Sequence, residues 1–425
     1  MTIVGIDDTD SRRTGMCTTY AAARLADRLR EIGRVPETRL VRLNPAVEYK
    51  TRGNAALAVV TDVEPDRATE ITRTLVDREA AVDDPRTNPG VVVADVPVDR
   101  PDHGIPDDVA RFARRAISEH LDRETATALI DRHGYRVATW GNGRGVIGAL
   151  AAVGAGRAVE DWTHERLVYR PRERWGTDRR IDHGSLFAAA DEWYPTVWDT
   201  VDRAADESVA VPHTPGPVLY GIRGDTRAAV EAAADAVDSE PPDRAASFRT
   251  NQGTDAHLRP GTIGDLVDGR AYRVDGRVVA APETRRGGHV FVTVADGDDR
   301  IDCAAFEPTK RFRDRVRSLR VGDRITACGG VDRGTLKLEK FALRDRVETE
   351  PTVPTCADCG RSMESAGTDQ GYRCRDCGTS APGKVETPID RHLARGWYEV
   401  PPLARRHVAK PLVRGGFDAP THPER

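Results

Sequence analysis

Three carboxylates crowd into four residues near the start of the chain. Asp7, Asp8 and Asp10 directly follow the apolar residues 2–6, which have the pattern of a short buried strand. Carboxylates this close together cannot all ionise without a counter-charge, and Mg²⁺ supplies one while also binding substrate phosphates. The pattern predicts a catalytic magnesium and nucleotide site; the alternative is an acidic turn with ordinary Asp and Ser caps.

The residues around this cluster offer hydrogen-bond donors to an anion. Residues 14–19 lead into a helix that the apolar spacing predicts to begin near Thr18. A helix amino terminus presents free N–H groups and a positive dipole, which suits phosphate. The residues assigned to the nucleotide site beside the carboxylates are Gly5, Ile6, Thr9, Ser11, Thr14 and Gly15.

A second polar string, residues 48–56, carries further candidates for the nucleotide site. Lys50 and Arg52 are suited to contact phosphate, and Gly53 permits close approach of the backbone. Asn54 is a candidate for orienting a bound group. The alternative for this string is a solvated turn.

Four cysteines near the carboxyl end have the spacing of a zinc ribbon. Cys356 and Cys359 form one Cys-x-x-Cys pair, and Cys374 and Cys377 form the second. A glycine follows each pair. Four cysteine ligands leave no open coordination position, so the pattern predicts a structural Zn²⁺ ion.

Bulk composition narrows the class of protein. The chain has 425 residues, 39% hydrophobic and 31% charged, which predicts roughly two to four soluble domains. No run of about 18 apolar residues exists to span a bilayer, and the acidic amino terminus does not resemble a signal peptide. We therefore expect a cytoplasmic protein with no membrane partner. The net charge of −4 combines 64 basic with 68 acidic residues, so it is compatible with local basic patches for nucleic acid.

Hydrophobic periodicity predicts the elements that position these residues. Strands and helices alternate through the first 236 residues, which indicates an α/β architecture. Residues 135–140 are expected to open a second α/β unit. Residues 238–261 are polar and rich in Pro, Asp and Arg, so they are interpreted as a linker.

After residue 271 the pattern changes to five short alternating strands. One helix, predicted at residues 309–319, lies between the third and fourth strands, as in an OB-fold barrel. Its basic residues Lys310, Arg311 and Arg313 are candidate RNA contacts. Phe291 and Phe306 are either stacking platforms for bases or part of the barrel core.

Residues 143–148 match the pattern Gly-x-Gly-x-x-Gly between a strand and a helix. This pattern occurs in dinucleotide-binding units, so that function has to be considered. No βαβ unit of the usual proportions follows, and no ribose-binding carboxylate is evident. A dinucleotide site is therefore the less favoured interpretation.

Together, residues 5–11, the pair Thr18–Thr19 and residues 48–56 resemble the archaeal tRNA(Ile) 2-agmatinylcytidine synthetase (TiaS) family. The resemblance covers nearly the whole chain. It implies a kinase-like ATP-binding domain at residues 1–130 and a ferredoxin-like domain at 131–255. An OB-fold at 265–348, a zinc ribbon at 349–382 and a basic carboxyl-terminal tail at 383–425 would follow.

The resemblance also implies an activity and its substrates. Members use ATP and Mg²⁺ to phosphorylate the 2-oxo oxygen of the wobble cytidine in an isoleucine tRNA with a CAU anticodon. Agmatine then replaces that oxygen in a ligation that forms a C–N bond and splits ATP to AMP and phosphate. The threonine that matches Thr18 becomes phosphorylated. Residues 141–155 and 212–224 are expected to belong to the domain that helps form the agmatine site.

Agmatine carries a guanidinium, so its pocket should contain carboxylates or carbonyls. Asp199 is the candidate partner and Trp198 the candidate stacking surface, although Trp198 could equally be a core residue. Two other functions stay open. The chain could be a non-catalytic RNA- or single-strand-binding protein that uses the OB-fold and ribbon, or an ATP-dependent enzyme acting on another base or amine. The acidic cluster favours an enzyme, since binding alone would not need it.

Overall fold

A computed structural model describes residues 1–11, 13, 15–50, 53–97 and 101–425. Two nine-stranded β-sheets organise this part of the chain, and a small cysteine-rich unit extends from the second. The helices are α1 (Thr18–Arg30), α2 (Pro65–Glu79), α3 (Asp107–Ser118), α4 (Arg123–His133), α5 (Val146–Ala158), α6 (His183–Glu192), α7 (Arg227–Asp235) and α8 (Phe312–Arg317). Among the residues described, no helix is both long enough and apolar enough to cross a bilayer.

The first sheet runs in the order β5-β4-β1-β3-β2-β11-β6-β10-β7, and β8 pairs with β9 beside it. Its central strands are apolar on both faces because helices cover both: α3 and α5 pack on one side and α1 and α2 on the other. The strands are β1 (Thr2–Asp7), β2 (Glu37–Arg42), β3 (Ala55–Thr61), β4 (Gly90–Asp95), β5 (Arg136–Thr139), β6 (Thr163–Tyr169), β7 (Val197–Trp198), β8 (Val201–Asp202), β9 (Glu207–Ser208), β10 (Val218–Gly224) and β11 (Arg244–Thr250).

Strand β11 contradicts the linker predicted at residues 238–261. It pairs with β6 along its whole length and with β2 at its end, so it joins the two halves of the sheet. Phe248 is its one fully buried large side chain, and the remaining small and polar residues hide the strand pattern. Strand β5, expected to open the second unit, pairs instead with β4 at the outer edge of the first half.

The second sheet contains the predicted five-stranded barrel. Strands β13, β15, β16, β18 and β17 pair in a closed circle, and β16 meets β18 in parallel. This closure confirms the OB-fold. The strands of the second half are β12 (Leu258–Pro260), β13 (Ala271–Val278), β14 (Glu283–Thr284), β15 (Val290–Asp296), β16 (Asp299–Ala305), β17 (Arg324–Asp332), β18 (Thr335–Asp345), β19 (Thr349–Thr352), β20 (Glu364–Ser365), β21 (Tyr372–Arg373), β22 (Ser380–Ala381), β23 (Val385–Pro388), β24 (Gly396–Glu399) and β25 (Thr421–His422).

The barrel helix is shorter than predicted. A 3₁₀ turn occupies Glu307–Thr309, and Lys310 has a positive φ of 42°, so the α-helix begins only at Phe312. Phe312 and Val316 are fully buried and attach the helix to the barrel core.

The carboxyl-terminal segment is folded onto the barrel, since β24 pairs with β18, and β25 pairs with β24. Several of its basic residues form buried ion pairs with other parts of the chain. Arg391 pairs with Asp323, and Arg414 pairs with Asp225 at 2.6 Å. Arg391 and Arg414 therefore contribute to the packing of the domains.

Candidate functional site

A cavity of about 420 Å³ opens beside the predicted acidic cluster. Its wall is built from the end of β1, the loop before β3, the loop between α3 and α4, and the start of α5. Of the predicted site residues, those that line it are Asp7, Asp8, Asp10, Lys50, Gly53 and Asn54. The structure thus brings together the two polar strings that lie about forty residues apart in the sequence.

The carboxylates at the end of β1 are held in a costly electrostatic state. Burial raises the pKa of Asp7 well above its usual value, and repulsion from Asp8 adds to this. Burial also raises the pKa of Asp8 to about 6, although Arg144 and the Asn88 N–H favour its ionised form. Asp8 accepts hydrogen bonds from Asn88 N at 3.1 Å and Arg144 Nε at 3.2 Å. Its φ of 58° turns the chain sharply here.

This donor set fits a hard divalent cation. Carboxylate oxygens are the ligands that Mg²⁺ prefers, and the cavity leaves space for substrate phosphates beside them. Bound positive charge would offset the burial and the mutual repulsion that raise the two pKa values.

The other predicted residues near this cluster lie behind the cavity wall. Thr9 and Ser11 are fully buried; Ser11 Oγ donates to Asp84 Oδ2 at 2.6 Å. Thr18 is only 5% exposed, and its Oγ1 accepts a hydrogen bond from Thr9 Oγ1 at 3.2 Å. Thr18 and Thr9 therefore form a buried hydroxyl pair.

Gly5 and Ile6 lie within β1, where Ile6 belongs to the core. A Cβ on Gly5 would stand 2.1 Å from Ala149 O, so glycine is required for α5 to approach the sheet. Gly15 has a positive φ of 83° and lies against Gly216. Thr14 lies outside the described residues. The nucleotide-binding role of these residues stays a prediction.

Several described residues of the second polar string line another part of the cavity. Lys50 Nζ donates to Val47 O at 2.9 Å, and Asn54 Nδ2 donates to Asn44 O at 2.9 Å, so both side chains also support their own loop. Arg52 lies outside the described residues.

The Gly-x-Gly-x-x-Gly segment borders the same cavity and packs α5 onto the sheet. A Cβ on Gly145 would stand 2.4 Å from Gly90 N, and one on Gly148 would stand 2.0 Å from Asp7 Oδ2. The glycines therefore allow helix–strand contact at the acidic cluster. Arg144, within this segment, pairs with Asp8. The sequence did not predict Arg144 as a site residue, because only the glycines of the segment form a recognisable pattern.

Replacing Gly148 with alanine should displace the Asp7 carboxylate, because the added Cβ cannot fit at 2.0 Å. We expect the affinity for Mg²⁺ and nucleotide to fall at least about tenfold, a cost of about 1.4 kcal/mol. Isothermal titration with Mg²⁺ and a non-hydrolysable ATP analogue measures this. Gly330→Ala is the matched control, since a Cβ there meets nothing nearer than 3.8 Å. Equal affinities in the two variants would contradict this role of Gly148.

The candidate agmatine residues lie away from this cavity. Trp198 is 3% exposed, its ring packs on Gly253, and its Nε1 donates to Asp225 Oδ1 at 3.2 Å. Asp199 is buried and ion-paired with Arg405 of the carboxyl-terminal segment. These contacts give Trp198 a packing role and Asp199 a role in joining the two halves of the chain; their contact with agmatine stays a prediction.

Arg405, the partner of Asp199, also pairs with Glu399. We expect this buried cluster to make the stability of the protein depend on pH. Arg405 Nη2 lies 2.8 Å from Glu399 Oε1, yet burial raises the pKa of Glu399 to about 7. Because this pKa exceeds the ordinary value of 4.5, the folded state favours protonated, neutral Glu399. The stability that protonated Glu399 contributes is lost as the pH rises through about 7. Lowering the pH from 8 to 6 should stabilise the wild type about 1 kcal/mol more than Glu399→Gln.

Urea unfolding followed by circular dichroism at both pH values measures this difference. Every other titrating group is common to the two proteins, so the comparison isolates Glu399. The same pH response in both proteins would show that Glu399 does not titrate in this range.

The three basic candidates of the barrel differ in accessibility. Lys310 is exposed and bonds Glu307 at 2.7 Å. Arg311 pairs with Asp202 of the first half at 3.0 Å, and Arg313 Nη1 donates to Gly288 O at 2.5 Å. Of the three, Lys310 remains the one most open to an RNA partner. Phe291 and Phe306 are half-buried on the barrel surface, with ring centroids 6.3 Å apart.

The four predicted zinc ligands converge. The sulfurs of Cys356, Cys359, Cys374 and Cys377 all lie within 4.8 Å of one another. A tetrahedral site with zinc–sulfur bonds of about 2.3 Å needs sulfurs about 3.8 Å apart, so the arrangement fits Zn²⁺. Gly360 and Gly378, with φ near +70°, close the two turns by donating their N–H groups to the carbonyls of Cys356 and Cys374.

Comparison with known proteins accounts for most of the chain. Family models match at residues 3–142 (TiaS TCKD domain), 143–257 (TiaS FLD domain), 272–342 (OB-fold nucleic acid binding domain) and 353–393 (TiaS C-terminal zinc ribbon domain). A curated relative from Haloquadratum walsbyi, a tRNA(Ile) 2-agmatinylcytidine synthetase TiaS, is 52% identical over the full length of both chains.

Solved structures of similar proteins agree in fold over the full length. A complex of TiaS with its isoleucine tRNA and ATP superposes with a TM-score of 0.89 at 40% identity, covering 100% of this chain and 99% of that one. A complex of TiaS with the same tRNA, AMPCPP and agmatine superposes with a TM-score of 0.86 at 38% identity and the same coverage.

Proposed function

Since this chain belongs to the TiaS family of tRNA(Ile) 2-agmatinylcytidine synthetases, we propose that it joins agmatine to the wobble cytidine of the isoleucine tRNA with a CAU anticodon at the expense of ATP. The observation that carries the proposal is the cavity in which Asp7, Asp8 and Asp10 face Lys50 and Asn54. Similar proteins have been solved with an isoleucine tRNA, ATP or its analogue, and agmatine, which supports an enzyme over a pure RNA-binding protein.

The proposed reaction must first make the oxygen on carbon 2 of cytosine able to leave. The 2-oxo oxygen of cytosine is a poor leaving group, and phosphorylation by ATP makes it a good one. The primary amine of agmatine then attacks carbon 2; a C–N bond forms, the C–O bond breaks, and phosphate leaves with the oxygen. The amine nitrogen loses its proton, and agmatidine results. Overall, one ATP and one water yield AMP and two phosphates, and one of these phosphates carries the oxygen that leaves carbon 2.

The chain's own residues position the phosphates. Asp7, Asp8 and Asp10 would hold Mg²⁺, which when bound neutralises charge on the transferring phosphoryl group. Lys50 and Asn54 line the same cavity and would bind phosphate and ribose oxygens. Thr18 reaches this site only after the Thr9–Thr18 hydroxyl pair opens, because its side chain is buried.

The barrel and the zinc ribbon would bind the tRNA. The barrel and the zinc ribbon form the second half of the chain, and an exposed RNA must bring one unstacked base to the cavity in the first half. The proposed division is a kinase-like domain at 1–130, a ferredoxin-like domain at 131–255, the OB-fold at 265–348, the ribbon at 349–382 and the tail at 383–425. A tRNA substrate places the enzyme in the cytoplasm.

Analysis of the nucleotide products tests this proposal. The protein is incubated with ATP, Mg²⁺, agmatine and the unmodified isoleucine tRNA, and nucleotides are separated by chromatography. We expect AMP to accumulate when both agmatine and tRNA are present, in amounts equal to the agmatine incorporated. AMP formation that is independent of tRNA and agmatine would overturn the proposal, as would tRNA binding with no nucleotide cleavage.

A further inference from the structure

Arg144 connects three segments of the chain at or beside the cavity. It comes from the turn before α5, and its guanidinium contacts the acidic cluster, the loop before β3 and the loop between α2 and β4. Nε donates to Asp8 Oδ2 at 3.2 Å, and Nη2 donates to Tyr49 O at 2.8 Å and Arg86 O at 2.6 Å. The guanidinium also lies 5.6 Å from the centre of the Tyr49 ring.

The backbone that presents Arg144 is fixed on both sides. Gly143 has a φ of 71°, which only glycine adopts without strain, and Gly145 is pressed against Gly90 with no space for a Cβ. Arg144 N donates to Asn142 Oδ1 at 3.0 Å. The side chain therefore starts from a rigid turn, and its hydrogen bonds hold the guanidinium in one orientation.

One end of the guanidinium remains available. Nε and Nη2 bond protein acceptors, whereas Nη1 makes no hydrogen bond within the part of the chain that the structure describes. The Arg144 side chain is 24% exposed and lines the cavity beside Asp7, Asp8 and Asp10. A donor with positive charge, next to a proposed metal site, suits an anionic oxygen.

We propose that Arg144 contacts a phosphate oxygen of the nucleotide through Nη1 and positions the loop around Tyr49 and Lys50 against the acidic cluster. This inference rests on the proposed nucleotide site and assigns the function of the Gly-x-Gly-x-x-Gly segment, which is to deliver an arginine to the phosphates. Lysine could supply the charge but not the several N–H donors of a planar guanidinium. A single Nζ cannot bond Asp8, two carbonyls and a phosphate in this fixed geometry.

The test measures the binding of Mg·AMPCPP by isothermal titration, together with KM for ATP and kcat in agmatine incorporation. Arg144→Ala should weaken AMPCPP binding about 10- to 100-fold, the range for losing charge-assisted hydrogen bonds. Arg144→Lys should have a kcat between that of Arg144→Ala and that of the wild type. Its KM for ATP should stay at least about fivefold above the wild-type value. Arg136→Ala, which removes an arginine paired with Asp66 at the sheet edge, should leave all three quantities unchanged.

Each outcome decides the inference. AMPCPP binding within about twofold of the wild type in Arg144→Ala would overturn the phosphate contact. Full recovery of KM and kcat in Arg144→Lys would overturn the positioning role and reduce Arg144 to a point charge. Arg144-dependent AMPCPP binding without agmatine incorporation in the wild type would leave this inference standing while the proposed function failed.

Discussion

Asp8→Ala is expected to reduce agmatine incorporation at least about 1000-fold while leaving the affinity for tRNA within about twofold. The carboxylate that pairs with Arg144 is lost, and with it the proposed cation that neutralises the phosphates. Losses of about 100- to 1000-fold accompany removal of single groups that stabilise developing charge, and a metal site exceeds that range. Steady-state incorporation of labelled agmatine and electrophoretic mobility shifts of tRNA measure the two quantities.

Asp83→Ala is the matched control for this prediction, because Asp83 is an exposed acid next to Asp84, which accepts the hydrogen bond from Ser11 behind the cavity wall. It should retain wild-type activity. Equal losses of activity and tRNA affinity in Asp8→Ala would mean that the residue supports the fold and not the chemistry. Undiminished activity would remove the acidic cluster from the mechanism.

Cys374→Ser is expected to unfold the ribbon and weaken tRNA binding at least about tenfold, with the affinity for AMPCPP unchanged. Structural zinc contributes about 10 kcal/mol or more to the folding of such small units, and the ribbon has only a minimal core around Met363 to replace it. The cavity for nucleotide lies in the other half of the chain and does not depend on the metal. Zinc stoichiometry by mass spectrometry, tRNA mobility shifts and AMPCPP titration test the three statements.

Cys303→Ala controls for the loss of a cysteine, since Cys303 lies in the barrel core away from the ribbon. It should keep one zinc per chain. Retention of zinc by Cys374→Ser would contradict the four-cysteine site. Unchanged tRNA affinity in a zinc-free variant would exclude the ribbon from tRNA recognition.

Sites whose residues lie close together in the sequence were predictable from local sequence patterns. The acidic cluster and the two Cys-x-x-Cys pairs are such patterns, and the structure places each set together. The barrel strands were predictable because alternation of apolar and polar residues follows directly from one buried face. The resemblance of residues 48–56 to the TiaS family predicted that Lys50, Gly53 and Asn54 lie near the acidic cluster, and these three residues line the same cavity.

Features that depend on contacts distant in sequence were not predictable. Arg144 pairs with Asp8 from 136 residues away, and no spacing rule identifies one arginine among many. The chemistry of Asp199 suits agmatine, but the fold pairs this residue with Arg405 from 206 residues away. Strand β11 has the composition of a linker because its stability comes from β2 and β6 on either side and not from its own residues.

The most direct test of the central claim is nucleoside mass spectrometry of the isoleucine tRNA with a CAU anticodon after incubation with the protein, ATP, Mg²⁺ and agmatine. We expect that the wobble cytidine is converted to agmatidine, that omission of ATP abolishes the product, and that other cytidines are unchanged. An unmodified wobble cytidine in tRNA that the protein demonstrably binds would contradict it, as would agmatine attached at another position.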